Sequence, residues 1–220
     1  MDSQDPEASI RSNTKTAGNA QSSAALHPVE NANYWNDRYS SPGHVPVLTP
    51  LPIFTSRVAT LRPGNAVDLA CGSGRHARWL AQQGWKVQAC DFSSVAIAEA
   101  RAFGTTEDIR YEVADVRQWS PVGGVDLVLA GYLQLPVAEL VALLVEAGEW
   151  LTPGGRLIYV GHAREGLTHG RGGGPQDPEI LPSLAELATA AADFKVNALA
   201  HVVRADGRTV DVLLDCERWA

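Results

Sequence analysis

The residues whose types and spacing could do chemistry lie between Val67 and Ser93, in VDLACGSGRHARWLAQQGWKVQACDFS. An acid, Asp68, precedes the glycine turn Gly72-Ser73-Gly74, and a second acid, Asp91, follows at the end of the next apolar run. Where a strand gives way to a helix around a ligand, the backbone must approach closely, and side chains would obstruct it. Gly72-Ser73-Gly74-Arg75-His76-Ala77 formally satisfies the G-x-G-x-x-A pattern of dinucleotide sites, in which a helix N-terminus meets a pyrophosphate. Asp68 would be a poor neighbour for that pyrophosphate. It suits a cationic ligand end, such as an amino-acid ammonium, directly or through water. S-adenosylmethionine (SAM) offers an ammonium, a sulfonium and no phosphate, so Asp68 favours SAM over NAD.

Asp91 ends the second predicted strand, where its carboxylate can accept from both hydroxyls of a ribose that SAM and NAD share. Asp115, in Val113-Ala114-Asp115-Val116, ends the third strand at the same sheet edge. There it can accept from an adenine amino group while the Val116 amide donates to the ring, and Phe92 lies where it could cover one adenine face. These positions all fall at carboxyl ends of strands, where open α/β sheets bind ligands. Methyl transfer from a sulfonium is an in-line displacement on an activated donor, so alignment and exclusion of water are the main demands. A soft nucleophile needs no further help; an oxygen or nitrogen acceptor can need a general base, and His162, directly after the fifth strand, is the histidine best placed for that role. Arg204 and Arg208 flank the last turn of the chain, where surface solvation is the simpler reading.

These residues need a particular scaffold. Near-continuous apolar runs at about 65–70, 86–91, 109–114, 125–131 and 156–161 read as strands of a parallel sheet covered on both faces. Helices are expected between them: one closed by Gly84, one capped by Ser93-Ser94 and stopped at Gly104, and one over about 136–151. Pro52 opens a short helix upstream, running through Ser56, Val58 and Leu61 to Pro63-Gly64. Ser183-Leu184-Ala185-Glu186 is a capping box for another. Val196 to Arg204 and Arg208 to Cys216 are joined only by Ala205-Asp206-Gly207, too short for a crossover, so this last pair is antiparallel. The expected fold is α/β: a single doubly wound Rossmann-like domain, its mostly parallel seven-stranded sheet ending in an antiparallel hairpin, with helices on both faces. The segment from Gly166 to Pro178, with Gly170, Gly172, Gly173 and Gly174, is flexible by composition and reads as a lid or a long surface connection.

The domain is expected over residues 30–220, after a tail at 1–29 rich in Ser, Asn, Thr, Gln and Ala that cannot bury enough apolar surface to order itself. A chain of 220 residues with 45% hydrophobic and 20% charged residues is an ordinary globular domain. Its net charge of −7 argues against a general nucleic-acid binder. No apolar run is long enough to span a membrane, and no apolar core follows a basic start as in a secretory signal. Cys71, Cys90 and Cys216 lack metal or redox spacing and read as core residues in a reducing compartment, making the cytoplasm the expected location.

At this point the sequence resembles the class I SAM-dependent methyltransferases, and within them the small tellurite-resistance and thiopurine-methyltransferase-like group of actinobacterial type. The resemblance rests on Asp68-Leu69-Ala70-Cys71-Gly72-Ser73-Gly74-Arg75, on Gly84-Trp85-Lys86-Val87 leading to Asp91-Phe92-Ser93, and on Ala114-Asp115. It continues through Asp126-Leu127-Val128-Leu129 with Gly131-Tyr132-Leu133, and Leu151-Thr152-Pro153-Gly154-Gly155. It implies that the backbone around Ala70, Gly72 and Gly74 holds the methionine end of SAM, that Gly131 borders the cofactor, and that an N-terminal aromatic helix closes over it, with Trp35 and Tyr39 as lid residues. It also implies Tyr132 and Arg204 as substrate-side candidates beside His162, since tellurite-type relatives carry basic residues near the last turn. Ala130-Gly131-Tyr132-Leu133 departs from the Asn/Asp-Pro-Pro-aromatic form of enzymes methylating amide or base amino nitrogens. There is no catechol-type acid cluster, so no metal is implied. The expected partner is a small-molecule methyl acceptor, with no nucleic acid or membrane, and the protein is a monomer or homodimer. Two alternatives stand beside this reading: an NAD-dependent oxidoreductase and a non-catalytic SAM-binding protein.

Overall fold

The computed structural model describes residues 27–104, 108–168 and 174–220. The tail up to residue 26, and His169, Gly170, Gly172 and Gly173, lie outside the described residues. Seven strands, β1 (Asn65–Leu69), β2 (Lys86–Asp91), β3 (Ile109–Val113), β4 (Val125–Gly131), β5 (Leu151–His162), β6 (Lys195–Val203) and β7 (Val210–Glu217), form one sheet in the order β3-β2-β1-β4-β5-β7-β6. The first five pair in parallel, and β7 enters antiparallel between β5 and β6. The expected α/β fold with its terminal hairpin is therefore the observed one. Chain order reverses between β1 and β4, which opens a crevice at the carboxyl ends of those two strands.

Alternation along each central strand sends side chains to two cores. Val67, Leu69, Val128, Ala130, Leu157 and Tyr159 face one side, packed by Leu140, Leu143, Leu144 and Ala147 of α5 (Val137–Glu149) and Leu187 of α7 (Leu184–Ala190). The α5 spacing of i, i+3, i+4 and i+7 is the apolar stripe of a surface helix. Ala66, Leu127, Leu129, Ile158 and Val160 face the other side. They are covered by Phe54 and Val58 of α2 (Pro52–Val58), Ala77 and Leu80 of α3 (Arg75–Gln82), and Ile97 and Ala100 of α4 (Ser94–Ala102). The Ser93 cap and the Ser183–Glu186 capping box are both present. Asp215, fully buried on β7, is gripped by Arg156 (2.7 Å) and by Arg57 of α2 (2.9 Å), a buried carboxylate that is paired on both sides.

The upstream helix stops at Val58 rather than running on through Leu61, and two further details depart from the sequence reading. The helix expected over about 136–151 ends at Glu149, and β5 begins at Leu151 rather than Arg156. Leu151 pairs with Val125, and the register then shifts before Leu127 pairs with Arg156. Gly154, at φ +80°, lets the intervening turn bulge out and rejoin the ladder. Within the segment read as flexible, a single helical turn, α6 (Glu165–Thr168), and a 3-10 turn at Pro178–Ile180 are formed.

A strap from His27 through α1 (Ala32–Tyr39) crosses the carboxyl ends of the strands. It is fastened by His27 to Asp177 (2.9 Å), Glu30 to Arg117 (2.8 Å), and Asn36, whose side-chain oxygen accepts from Ser93 Oγ (2.7 Å) at the cap of α4. Among the described residues, no helix is long and apolar enough to cross a membrane. Trp85 carries the largest fully buried side chain, 1% exposed on the α2–α3 side. Trp85→Ala is expected to cost about 3–5 kcal/mol in urea unfolding, and a loss under about 1 kcal/mol would mean that this core is not packed around it.

Candidate active site

The crevice between β1 and β4 holds a cavity of about 400 Å³, within the usual range of about 300–1,000 Å³ for small-molecule sites. Its floor is the turn that leaves β1. Ala70, Gly72 and Gly74 all have positive φ (+52°, +53° and +73°), and Tyr132, leaving β4, has +58°. Ala70 and Tyr132 are the only non-glycine residues so placed among the described residues. Both border the cavity, and strain of this kind concentrates at functional sites. A Cβ on Gly72 would collide with the Tyr39 hydroxyl, which settles over the turn from the strap.

Of the ten residues expected to meet a cofactor, Trp35, Ala70, Gly72, Asp91, Phe92, Asp115, Val116 and Gly131 line this one cavity. Asp68 and Gly74 do not reach the wall and lie behind it. Asp91 Oδ2 accepts from the Gly72 amide (3.0 Å), and Oδ1 accepts from the Ser93 amide (2.9 Å). Burial pushes its carboxyl up to about 6 against the pull of those two amides, and Asp68 adds to the rise. Asp68 is 1% exposed; Oδ2 accepts from the Ala77 amide (3.0 Å), and Oδ1 is buried without a hydrogen-bond partner. His76 Nδ1 stands 3.8 Å from that orphan oxygen. The Leu51 amide donates to His76 Nε2 (3.3 Å), which leaves the ring proton on Nδ1, facing Asp68. Asp115 differs from expectation in its company: Arg117 grips both its oxygens (2.8–3.1 Å) and also reaches Glu30 on the strap. Burial raises the Asp115 carboxyl, but the Arg117 hydrogen bonds prevail and hold it below the ordinary range.

The three substrate-side candidates come together beside the cavity, which Tyr132 and His162 line and Arg204 does not. Buried Asp211, on β7, accepts from the Tyr132 hydroxyl (2.8 Å) and from two nitrogens of Arg204 (2.7 and 2.8 Å). Arg204 lies over the Tyr132 ring, 4.9 Å from its centroid, and a second contact brings its terminal nitrogen to His162 Nδ1 (3.2 Å). The His162 ring lies 4.8 Å from that of Tyr132 at a 37° tilt. Arg204 is thus a structured member of this cluster rather than a solvated surface residue, whereas Arg208 is exposed. Burial raises the Tyr132 hydroxyl well above its ordinary range and Asp211 raises it further, so it remains a protonated donor.

Two functional residues were missed in the sequence. Arg75, which opens α3, lines the cavity; its side chain makes no hydrogen bond or ion pair among the described residues, though the charge of Asp68 acts on it. A cation there opposes the helix dipole, a local cost that was visible in the sequence. Asp211 was legible only as an acid inside the apolar run of β7, where an unpaired charge would not be buried. No group of three or more His, Cys, Asp or Glu that could hold a metal ion occurs among the described residues.

Comparison with known proteins agrees with this geometry. Residues 66–155 match the family described as a methyltransferase domain. Over 105 residues the chain is 30% identical to a ribosomal RNA small subunit methyltransferase C of Alcanivorax borkumensis, covering 45% of this chain and 32% of that one. Over 104 residues it is 36% identical to a trans-aconitate 2-methyltransferase of Mycolicibacterium gilvum, covering 44% and 39%. Less than half the length of either curated relative is thus spanned. Among solved structures, the N-methyltransferase NodS from Bradyrhizobium japonicum WM9, in complex with S-adenosylhomocysteine (SAH), superposes with a TM-score of 0.66 at 13% identity, over 86% of this chain and 98% of that one. The strand order and these likenesses agree: residues 66–155 match a methyltransferase domain, and the chain shares the fold of the solved methyltransferase.

Proposed function

We propose that this protein is a SAM-dependent methyltransferase acting on a small-molecule acceptor, and that it belongs with the tellurite-resistance and thiopurine-methyltransferase-like group. The observation that carries the cofactor assignment is the orphan oxygen of Asp68, buried behind the glycine turn with no partner. A buried carboxylate oxygen left unsatisfied is costly, and, since Asp68 lies behind the cavity wall, an ammonium in the cavity would satisfy it through a bridging water. A pyrophosphate would not. The rest of the wall fits the same molecule: Asp91 opposite the ribose hydroxyls, Phe92 and Val116 beside the adenine, and the side-chain-free Gly72 beneath the methionine chain.

When bound, SAM supplies a methyl group already activated by the sulfonium. The chain's own residues then have three tasks. Asp91 orients the nucleoside while holding the turn in shape through the Gly72 amide. Trp35 and Tyr39, on the docked strap, shut water out of the crevice. Tyr132 and His162, both on the cavity wall, shape the acceptor end and would fix the line of attack. The cavity of about 400 Å³ suits an acceptor of small size, and the net charge of −7 disfavours a general nucleic-acid binder.

Calorimetric titration is expected to show one SAH bound per chain with micromolar affinity and no binding of NAD. Asp91→Ala should weaken SAH binding at least tenfold; NAD binding in place of SAH would contradict the proposal. The pH dependence has a definite sign. Only ionised Asp91 accepts from both ribose hydroxyls, and its carboxyl lies at about 6. Affinity for SAH should therefore be level above that pH and fall below it, by up to about tenfold per unit, and Asp91→Asn should abolish the slope. Gly72→Ala, whose Cβ would strike Tyr39, should lower SAH affinity by about tenfold or more while the protein still unfolds cooperatively.

A further inference from the structure

Between α1 and α2 the chain runs Val45-Pro46-Val47-Leu48-Thr49-Pro50, the start of a stretch without a charged residue as far as Ser56. It forms an arch that is pinned at both ends. His44 Nε2 meets Glu99 of α4 (3.1 Å), and the Leu51 amide donates to His76 Nε2 on α3 (3.3 Å). Between the pins, residues 45–50 make no hydrogen bond among the described residues. Pro46 and Pro50 have no N–H to satisfy, and each holds the residue before it extended.

The side chains of this arch face the wrong way for a core. Val45, Val47 and Leu48 are 77%, 57% and 47% exposed. Single exposed aliphatic residues, such as Val122 and Val145, are ordinary on a surface, but a contiguous group marks a contact. Val45 and Val47 line the cavity, whereas Leu48 lies beyond its wall, so the group runs out through the mouth. The second pin sets the direction. A Cβ on Gly131, at the end of β4, would come within 3.1 Å of the His76 ring, so the arch lands beside the strand end from which Tyr132 departs. Inside the cavity, Leu133 and Leu135 add aliphatic wall.

SAM, placed as above, meets Asp91, Phe92, Val116 and Gly72, and a molecule enclosed in the cavity does not reach Leu48. Three side chains also fall far short of the roughly 800 Å² per partner that a stable protein interface buries. We infer that the methyl acceptor carries an uncharged apolar portion, which leaves the cavity by its mouth and packs on Val45, Val47 and Leu48. The prolines present these side chains with little backbone freedom left to lose, so covering them gains affinity at a small ordering cost.

The inference rests on the methyltransferase reading, and a full chain saturated with SAH separates the two. The probe is N-phenyl-1-naphthylamine, an uncharged apolar fluorophore. Saturable binding at one site per chain is expected. 1-Alkanols from butanol to octanol should displace it, each added methylene tightening the competition about threefold to fourfold, while erythritol should not compete. Val45→Ser combined with Val47→Ser should weaken probe binding about tenfold or more and flatten the alkanol series, with SAH affinity kept within about threefold. Val196→Ser, on the exposed face of β6, should change neither. A wild type that does not bind SAH would overturn the methyltransferase reading and this inference with it; SAH binding without saturable probe binding overturns the inference alone. So does an equal loss in Val196→Ser, or a probe loss that merely tracks SAH affinity. A dimer in sedimentation that the double variant dissolves would assign the arch to a second copy of the chain and overturn it as well.

Discussion

The interaction on which the rest depends is the pair of hydrogen bonds that Asp91 accepts at the end of β2. One, from the Gly72 amide, ties the glycine turn after β1 to the neighbouring strand; the other, from Ser93, starts α4. One buried carboxylate therefore sets both the floor of the crevice and the origin of the helix beside it. Burial opposes its charge, which is why its carboxyl is raised to about 6. The fold tolerates this because the carboxylate is matched by directional donors, the condition under which a buried charge can be kept. Asn36 of the strap docks on Ser93, so the lid is fastened to the same junction.

A second buried carboxylate organises the opposite end. Asp211 lies on β7, which reaches β5 only because the chain turns back after the edge strand β6 and inserts β7 between the two. Its partners come from three places in the chain: the residue after β4, the end of β5, and the start of the last turn. The antiparallel insertion therefore brings these partners together beside the cavity. In the proposed function the two acids divide the labour: Asp91 would face the nucleoside, and Asp211 would fix the rings at the acceptor end.

Much of this was legible in the sequence. Strand positions, the Ser93 and Ser183 caps, the hairpin and the glycine turn depend on local rules, including periodicity, cap chemistry and link length, and the structure follows them. The β5 boundary was missed because Thr152-Pro153-Gly154-Gly155 reads as a stop, whereas a bulge at Gly154 lets strand pairing begin at Leu151. The cavity gathers most of the expected cofactor residues because they share one sheet edge, which strand order alone dictates. The Arg204–Asp211 ion pair, the contact of Arg204 with His162 and the place of Arg75 on the cavity wall were not legible. Each depends on which side chain meets which across strands that lie far apart in the chain, and no periodicity encodes that.

The account's central claim is that the crevice between β1 and β4 is a SAM site organised by Asp91 and Asp68. Diffraction from crystals grown with SAH tests it most directly. The ribose hydroxyls should lie within hydrogen-bond distance of Asp91, and the ammonium, or one water bound to it, should meet the orphan oxygen of Asp68. SAH found elsewhere, or bound in the crevice with its ribose away from Asp91, would contradict the account.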